Sequence, residues 1–198
     1  AVYKGKMSGT LGDVSTFSFF GNKTITTGEG GMVLCNKEEH FNKIKQLKNQ
    51  GNSDKTYFHD VLGYNYRMTN IQAAIGLAQL NKIEKIISLK KSIFDCYYKL
   101  LNKKVNFLKK LESTHPSYWM IPIIFATKEQ KQKVELELLK NNIETRPFFT
   151  PIDNLPFYNK SNCILAKKIF ELGLLLPRYP GLSKENQIKI CKLINSTI

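Results

Sequence analysis

One lysine lies where covalent chemistry would need it, between a strand pattern and a glycine-rich turn. Lys23 follows the alternating run 16–20 and precedes Gly28, Gly30 and Gly31. Alternating aromatic and hydroxyl side chains are typical of a strand, and glycines let the backbone turn or approach a ligand closely. Because desolvation lowers a lysine's pKa and frees its amine, Lys23 is a candidate for Schiff-base chemistry. The alternative interpretation is a solvated surface lysine.

The three arginines are candidates for binding an anion. They are Arg67, Arg146 and Arg178, in a chain that otherwise uses lysine for positive charge. A planar guanidinium pairs bidentately with a carboxylate or a phosphate, which a lysine cannot do. A structural ion pair is the alternative for each of them.

The net charge of +14 raises nucleic acid as a partner. The excess is almost entirely lysine spread over several predicted helices, and no nucleic-acid-reading motif occurs. We therefore interpret most of the charge as solvated helix faces, and we do not expect nucleic-acid binding to be the main function. An anionic small substrate fits the charge equally well.

The chain has 198 residues and no apolar run long enough to span a membrane. Its first residues lack an initiator Met and the apolar core of a signal peptide, so we interpret it as part of a longer protein. The four cysteines are scattered, without CxxC or metal-ligand spacing. They predict free thiols in a reducing, cytoplasmic compartment and no metal site.

Residue patterns predict an α/β first part. Strands are expected at 16–20 and 32–35, followed by a helix over 38–49 and an aromatic binding or interface loop over 57–68. Thr69 and Gln72 predict a capping box at the start of a helix. The helical pattern continues to about residue 101, as two consecutive helices or one bent helix, with Ile71 and Ile75 on the apolar face.

The remainder predicts a small α+β domain. We expect strands at 105–108, 118–125, 143–146 and 174–176, and helices at 128–140, at 163–172 and after Ser183. Pro122 should place its strand near an edge or a bulge, since proline cannot donate to the ladder.

Two long motifs, S-F-F-x-x-K-x-x-x-x-G-E-G-G and G-Y-N-Y-R-M-T-N-I-Q-A-A-I-G-L-A-Q-L, resemble the DegT/StrS sugar aminotransferases. The likeness continues through E-T-R-P-F-F-T-P and L-P-R-Y-P-G-L-S. It implies the C-terminal part of a fold-type I, aspartate aminotransferase-like enzyme. Residues 1–80 would be the C-terminal part of the large cofactor-binding domain. Residues 81–198 would be a bridging helix and the small domain.

The resemblance also implies pyridoxal 5'-phosphate as the cofactor. Lys23 matches the lysine that binds it covalently and moves the proton between the substrate and cofactor carbons. Ser18 matches the serine whose hydroxyl binds the cofactor phosphate. Asn65 matches the asparagine that one subunit of a homodimer inserts towards the phosphate of the neighbouring site.

The implied reaction transfers an amino group from glutamate to a nucleotide-linked 4-keto-6-deoxy sugar, for surface polysaccharide or glycan synthesis. Arg67 and Arg146 match arginines near the substrate cleft of the family. Asp153 stands where many relatives have a histidine, so we expect it to contact the substrate differently.

The family's aspartate that pairs with the pyridine nitrogen precedes the first residue of this sequence. We therefore expect the 198-residue chain alone to be inactive. One alternative is a non-catalytic relative acting as a sensor or nucleic-acid-binding regulator. A second is the dehydrating subgroup, in which a histidine replaces the lysine; Lys23 argues against it. The sugar, the nucleotide and the carbon that receives the amine stay open.

Overall fold

A computed structural model describes residues 1–101, 103–159 and 161–198 of the protein. It contains short strands joined by turns, which are β1 (Val2–Tyr3), β2 (Lys6–Met7), β3 (Val14–Ser18), β4 (Gly31–Cys35), β5 (Asn106–Phe107), β6 (Thr114–His115), β7 (Pro122–Ile124), β8 (Arg146–Pro147) and β9 (Gly173–Leu175). Its α-helices are α1 (Glu38–Lys48), α2 (Asn70–Leu80), α3 (Ile83–Leu101), α4 (Lys128–Lys140), α5 (Ile164–Leu172) and α6 (Lys184–Thr197).

The chain divides into two units. The first comprises Ala1–Lys85 and Glu112–Pro116, and the second comprises Ile86–Leu111 and Ser117–Ile198. The short segment around β6 belongs to the first unit because it pairs with β1, a connection that no sequence pattern indicated. The division of the enzyme's domains at residue 80 stays a prediction.

In the first unit, β3 and β4 form the antiparallel pair that carries the predicted lysine loop. Val14 pairs with Cys35 at one end, and Ser18 pairs with Gly31 at the other. The alternation of residues 16–20 therefore predicted a real strand, although the strand ends two residues earlier. A side chain at Gly31 would place its Cβ 2.8 Å from the carbonyl oxygen of Phe17, so only glycine fits this register.

The helix α2 begins with the predicted capping box. The Thr69 hydroxyl accepts the backbone N–H of Gln72, and the Gln72 side chain accepts the backbone N–H of Thr69 at 3.0 Å. Two consecutive helices, α2 and α3, follow the capping box, which was one of the two predicted arrangements. The half-buried positions of α2 are Gln72, Gly76 and Gln79, which share one face because they are four and three residues apart.

The second unit contains a four-stranded antiparallel sheet with the strand order β5-β7-β9-β8. The prediction that Pro122 lies near an edge was wrong, because β7 is a central strand. Proline is tolerated there because Pro122 is the first residue of β7 and pairs only with Leu175 of β9. The partner strand β5 begins its pairing one residue later, at Ile123.

The hydrophobic core of this unit draws on its sheet and on three of its helices. Tyr97 and Leu101 of α3, Val134 of α4 and Ile194 of α6 are fully buried in it. The periodic apolar residues of the last predicted helix therefore mark a true core face. Among the described helices, none combines the length and the apolar character needed to cross a membrane.

Candidate functional site

Lys23 lies on a loop whose two ends are joined by backbone hydrogen bonds. Beyond the strand pair, the N–H of Phe19 donates to Gly30 at 2.9 Å, and the N–H of Thr27 donates to Phe19 at 2.9 Å. Residues 20–26 therefore project from a closed base. The N–H of Lys23 donates to the carbonyl oxygen of Phe20 at 3.0 Å, which forms a tight turn and leaves the lysine half-buried.

Ser18 ends the strand that leads into this turn. Its side chain is exposed, and its oxygen accepts the backbone N–H of Phe20 at 3.3 Å. That bond uses the oxygen as an acceptor, so the hydroxyl proton can be donated to another group. The hydroxyl donor of Ser18 therefore lies at the end of β3, just before the turn that carries Lys23.

Hydroxyl side chains brace the returning half of the loop. Thr26 donates its Oγ1 proton to the carbonyl of Phe19 at 3.0 Å and accepts the N–H of Gly28 at 3.0 Å. Thr27 is buried and donates to the carbonyl of Glu29 at 2.7 Å. The small and hydroxyl residues around Lys23 are therefore structural parts of the loop.

Two glutamines of α2 hold this half of the loop, and sequence reasoning missed both as loop contacts. The amide of Gln79 bonds the backbone N–H and C=O of Thr26, at 3.0 and 2.6 Å. Gln72 donates to the carbonyl of Glu29 at 3.1 Å. The available signal was two glutamines seven residues apart on one helical face, with Gly76 between them.

Asn65 lies on a segment that pairs with the end of α1. Asn65 forms an antiparallel bridge with Asn49, and the N–H of Tyr64 donates to the carbonyl of Leu47 at 2.7 Å. The rings of Tyr64 and Tyr66 stack with centroids 5.0 Å apart on either side of it. Both Asn65 and the following Arg67 are exposed. The predicted aromatic loop is thus an anchored segment that presents these side chains outward.

Arg146 and Arg178 line one cavity of about 470 Å³ in the second unit. Arg146 is exposed and donates to Glu144 at 3.2 Å, whereas half-buried Arg178 donates through Nε to the carbonyl of Trp119. Desolvation, and secondly the charge of Arg146, lower the pKa of Arg178. Lys189 and Glu144 line the same cavity, so its lining carries an excess of positive charge.

Asp153 is buried, with 6% of its surface exposed, in a short 3₁₀ turn of the second unit. Its carboxylate lies 3.1 Å from the ammonium of Lys167 on α5. Hydrogen bonding to Lys167 holds the pKa of Asp153 below its usual value. A structural ion pair therefore accounts for at least part of its role, and substrate contact stays a prediction.

The described geometry divides the predicted site residues between the two units. Ser18 and Lys23 share one loop of the first unit, which also presents Asn65 and Arg67 on a separate segment. In the second unit, Arg146 lines the cavity and Asp153 pairs with α5.

The DegT/DnrJ/EryC1/StrS aminotransferase family model matches residues 1–195. The chain belongs to this family. GDP-perosamine synthase of Escherichia coli O157:H7 is 46% identical to it over 196 residues, which cover 98% of this chain and 54% of that enzyme. EpsN of Bacillus subtilis, whose name describes a pyridoxal phosphate-dependent aminotransferase, is 30% identical over 98% of this chain and 52% of its own length.

Among solved structures, PseC of Helicobacter pylori is similar in fold. PseC is an aminotransferase involved in the biosynthesis of pseudoaminic acid, and it matches with a TM-score of 0.90 at 27% identity. The match covers 98% of this chain and 56% of PseC. The chain thus spans about half the length of the curated relatives it matches. These values confirm the resemblance to the family and the partial fold-type I architecture.

Proposed function

We propose that this chain carries the covalent lysine of a pyridoxal-phosphate-dependent sugar aminotransferase. The observation that carries the proposal is Lys23 on a braced loop beside Ser18, in a chain of this family. The enzyme would transfer an amino group from glutamate to a nucleotide-linked 4-keto-6-deoxy sugar. The similarity to a GDP-perosamine synthase supports that substrate class.

The residues of the loop fit the cofactor. Ser18 has a hydroxyl proton to donate to a phosphate oxygen, and Lys23 offers an amine to an aldehyde. The backbone φ of Gly28 is +78°, a conformation that favours glycine, so this part of the loop carries no side chain. Bound pyridoxal phosphate supplies an electron sink for the carbon that carries nitrogen.

Lys23 acts in this proposal as a base as well as an attachment point. Its Nζ would hold the cofactor and, when free, would move the proton between the substrate carbon and the cofactor carbon. The turn at residues 20–23 limits the positions from which Nζ can reach these atoms. Asn65 of the partner subunit would add a neutral amide donor to the phosphate of this site, in a homodimer.

Cationic side chains suit the diphosphate of a nucleotide sugar. We assign Arg67 and Arg146 to substrate binding, with Arg178 as an addition because it lines the same cavity as Arg146. We also assign Asp153 to substrate binding, in addition to its ion pair with Lys167. We place the enzyme in the cytoplasm, since the four cysteines are free in the described structure.

The test uses the purified enzyme that contains this chain. After incubation with pyridoxal phosphate, borohydride reduction should bleach the cofactor's near-visible band and leave a pyridoxyl group on the peptide with Lys23. Lys23→Ala should abolish the band and the label, whereas Lys43→Ala, an exposed control on α1, should retain both. A band that persists in Lys23→Ala would contradict the assignment.

The substrate proposal needs a separate assay. With L-glutamate as donor, we expect 2-oxoglutarate release with a GDP-linked 4-keto-6-deoxyhexose, and slower release with its UDP-linked counterpart. Turnover with neither nucleotide sugar, by an enzyme that does bind the cofactor at Lys23, would overturn the substrate class alone.

A further inference from the structure

We propose that Gln79 is a positioning residue for Lys23, acting through the backbone of Thr26. The inference rests on the proposed function, because it explains how the loop that carries the covalent lysine is held. Gln79 lies 53 positions from Thr26 in the sequence and has no place in the chemistry itself.

The contact is a complete two-way amide pair. Oε1 of Gln79 accepts the N–H of Thr26 at 3.0 Å, and Nε2 donates to the carbonyl of the same residue at 2.6 Å. A neighbouring β-strand residue makes this pattern in a hydrogen-bonded antiparallel pair. The side chain of Gln79 thus replaces a missing strand partner for the loop.

The orientation of the Gln79 amide is determined by a third bond. Its other Nε2 proton goes to the carbonyl of Ile75 at 3.0 Å, one turn earlier in α2. A flipped amide would direct its oxygen at two carbonyl oxygens, of Ile75 and Thr26, and would leave the N–H of Thr26 facing a donor. The bond to Ile75 within α2 therefore fixes the amide in the orientation that the loop requires.

The helix approaches the loop closely along the same face. A Cβ at Gly76 would lie 3.0 Å from Cγ2 of Thr27, so the glycine permits the short distance between α2 and the loop. One turn before Gly76 in α2, Gln72 donates to the carbonyl of Glu29 at 3.1 Å. Attachment at both Thr26 and Glu29 fixes the returning half of the loop to a regular helix.

Lys23 lies between this attachment and the strand β3. On one side, its own N–H bonds to Phe20, and on the other side Thr26 follows three residues later. The Thr26 hydroxyl also bonds across to Phe19, which ties both halves of the loop together. Loss of the Gln79 bonds should therefore widen the range of positions that Lys23 occupies without removing its amine. The reaction rate falls steeply when a reacting group is misplaced.

The first experiment measures the loop in the chain without cofactor. In Gln79→Leu, amide hydrogen exchange at Thr26 should accelerate about tenfold or more, since its acceptor is lost. Exchange at Val33, within β4, should stay as in the unchanged protein. Unaltered exchange at Thr26 would overturn the proposal, because the contact would then hold nothing.

The second experiment measures capture of pyridoxal phosphate by the enzyme that contains this chain. Borohydride trapping at successive times, with peptide mapping, gives the rate at which Lys23 becomes labelled. We expect that rate to fall about tenfold in Gln79→Leu and to be unchanged in Gln46→Leu, a half-buried control on α1. An unchanged rate in Gln79→Leu would refute the positioning role.

A conservative variant separates positioning from loss of fold. In Gln79→Glu, the ionised carboxylate cannot donate to the carbonyl of Thr26. The protonated acid has one O–H to donate to that carbonyl and an oxygen to accept the N–H of Thr26, but no second proton for Ile75. Relative to the unchanged enzyme at each pH, labelling of Lys23 should rise as the pH falls from about 8 towards about 4.3, the ordinary pKa of a glutamate side chain. Absence of recovery in a folded Gln79→Glu enzyme would contradict the mechanism. Failure of the unchanged enzyme to label Lys23 would instead refute the proposed function.

Discussion

Gly63→Ala should dislodge the segment that presents Asn65. A Cβ at Gly63 would lie 2.1 Å from the backbone nitrogen of Gly51 and 2.5 Å from the carbonyl carbon of Gln50. Both contacts are with backbone, so no side-chain rotation relieves them. The segment must move away from the end of α1, which breaks the bond from the N–H of Gln50 to Tyr64 at 2.9 Å.

The cost of this movement can be estimated from its parts. Overpacking costs about 1–3 kcal/mol, and the bonds that Gln50 and Tyr64 make across the segment contribute about 1 kcal/mol each. Reduced freedom of the unfolded chain offsets about 0.4–1 kcal/mol for a glycine-to-alanine change. We therefore expect a loss of about 2–5 kcal/mol in the local stability of the segment.

Amide exchange at Tyr64 and Tyr66 measures this loss directly, and we expect it to accelerate by at least about thirtyfold. Gly12→Ala is the matched control, because the nearest contact of its Cβ is ordinary at 3.5 Å. Trp119, the single tryptophan, belongs to the second unit and reports on that unit's own fold. Exchange in Gly63→Ala equal to that in Gly12→Ala would refute the close-packing argument.

Three predictions concern the second unit, and urea unfolding followed by Trp119 fluorescence tests each of them. Tyr97→Phe should cost about 1–2 kcal/mol, since the buried hydroxyl donates to Pro177 at 3.0 Å, and Tyr98→Phe, at an exposed ring, should cost little. Burial raises the pKa of Tyr97, so its hydroxyl contributes fully to the free energy of unfolding below about pH 10, and this contribution should be lost as the pH rises further. The free energy of unfolding should therefore fall less steeply with pH in Tyr97→Phe. Equal alkaline slopes in the two proteins would contradict this. The lowered pKa of Asp153 stabilises the unit above its usual value of 3.8, and this should be lost as the pH falls further; an unchanged acid slope in Asp153→Asn would contradict the ion pair.

Local patterns predicted most elements because their signals are confined to a few neighbouring residues. The capping box at Thr69 is a contact over three residues, and the apolar spacing of α6 needs only one helical face. Pro122 shows the limit of such reasoning. Its strand is central, and it is tolerated only because β5 begins its pairing one residue later, which is a property of a distant segment.

The same distinction between local signals and distant contacts applies to the site residues. Motif likeness identified Lys23, Ser18 and Asn65 as candidates, but pairing over long sequence distances determines their surroundings. Asp153 illustrates this, because its ion pair with Lys167 depends on how α5 packs, and no spacing in the sequence encodes that contact. Arg178 was a candidate from residue type alone, and the structure adds that it lines the same cavity as Arg146.

The helix α2 contacts the lysine loop through a face that apolar periodicity does not mark. Ile71 and Ile75 lie on its apolar face and are exposed. Two polar residues, Gln72 and Gln79, lie on the face that contacts the lysine loop. A loop has unpaired backbone N–H and C=O groups, which an apolar face cannot satisfy. A glutamine amide satisfies both groups at once, so a polar helix face is the better support for an irregular segment. In the proposed function Lys23 moves a proton between two carbon atoms, and the residue that supports its loop lies more than fifty positions away in the sequence.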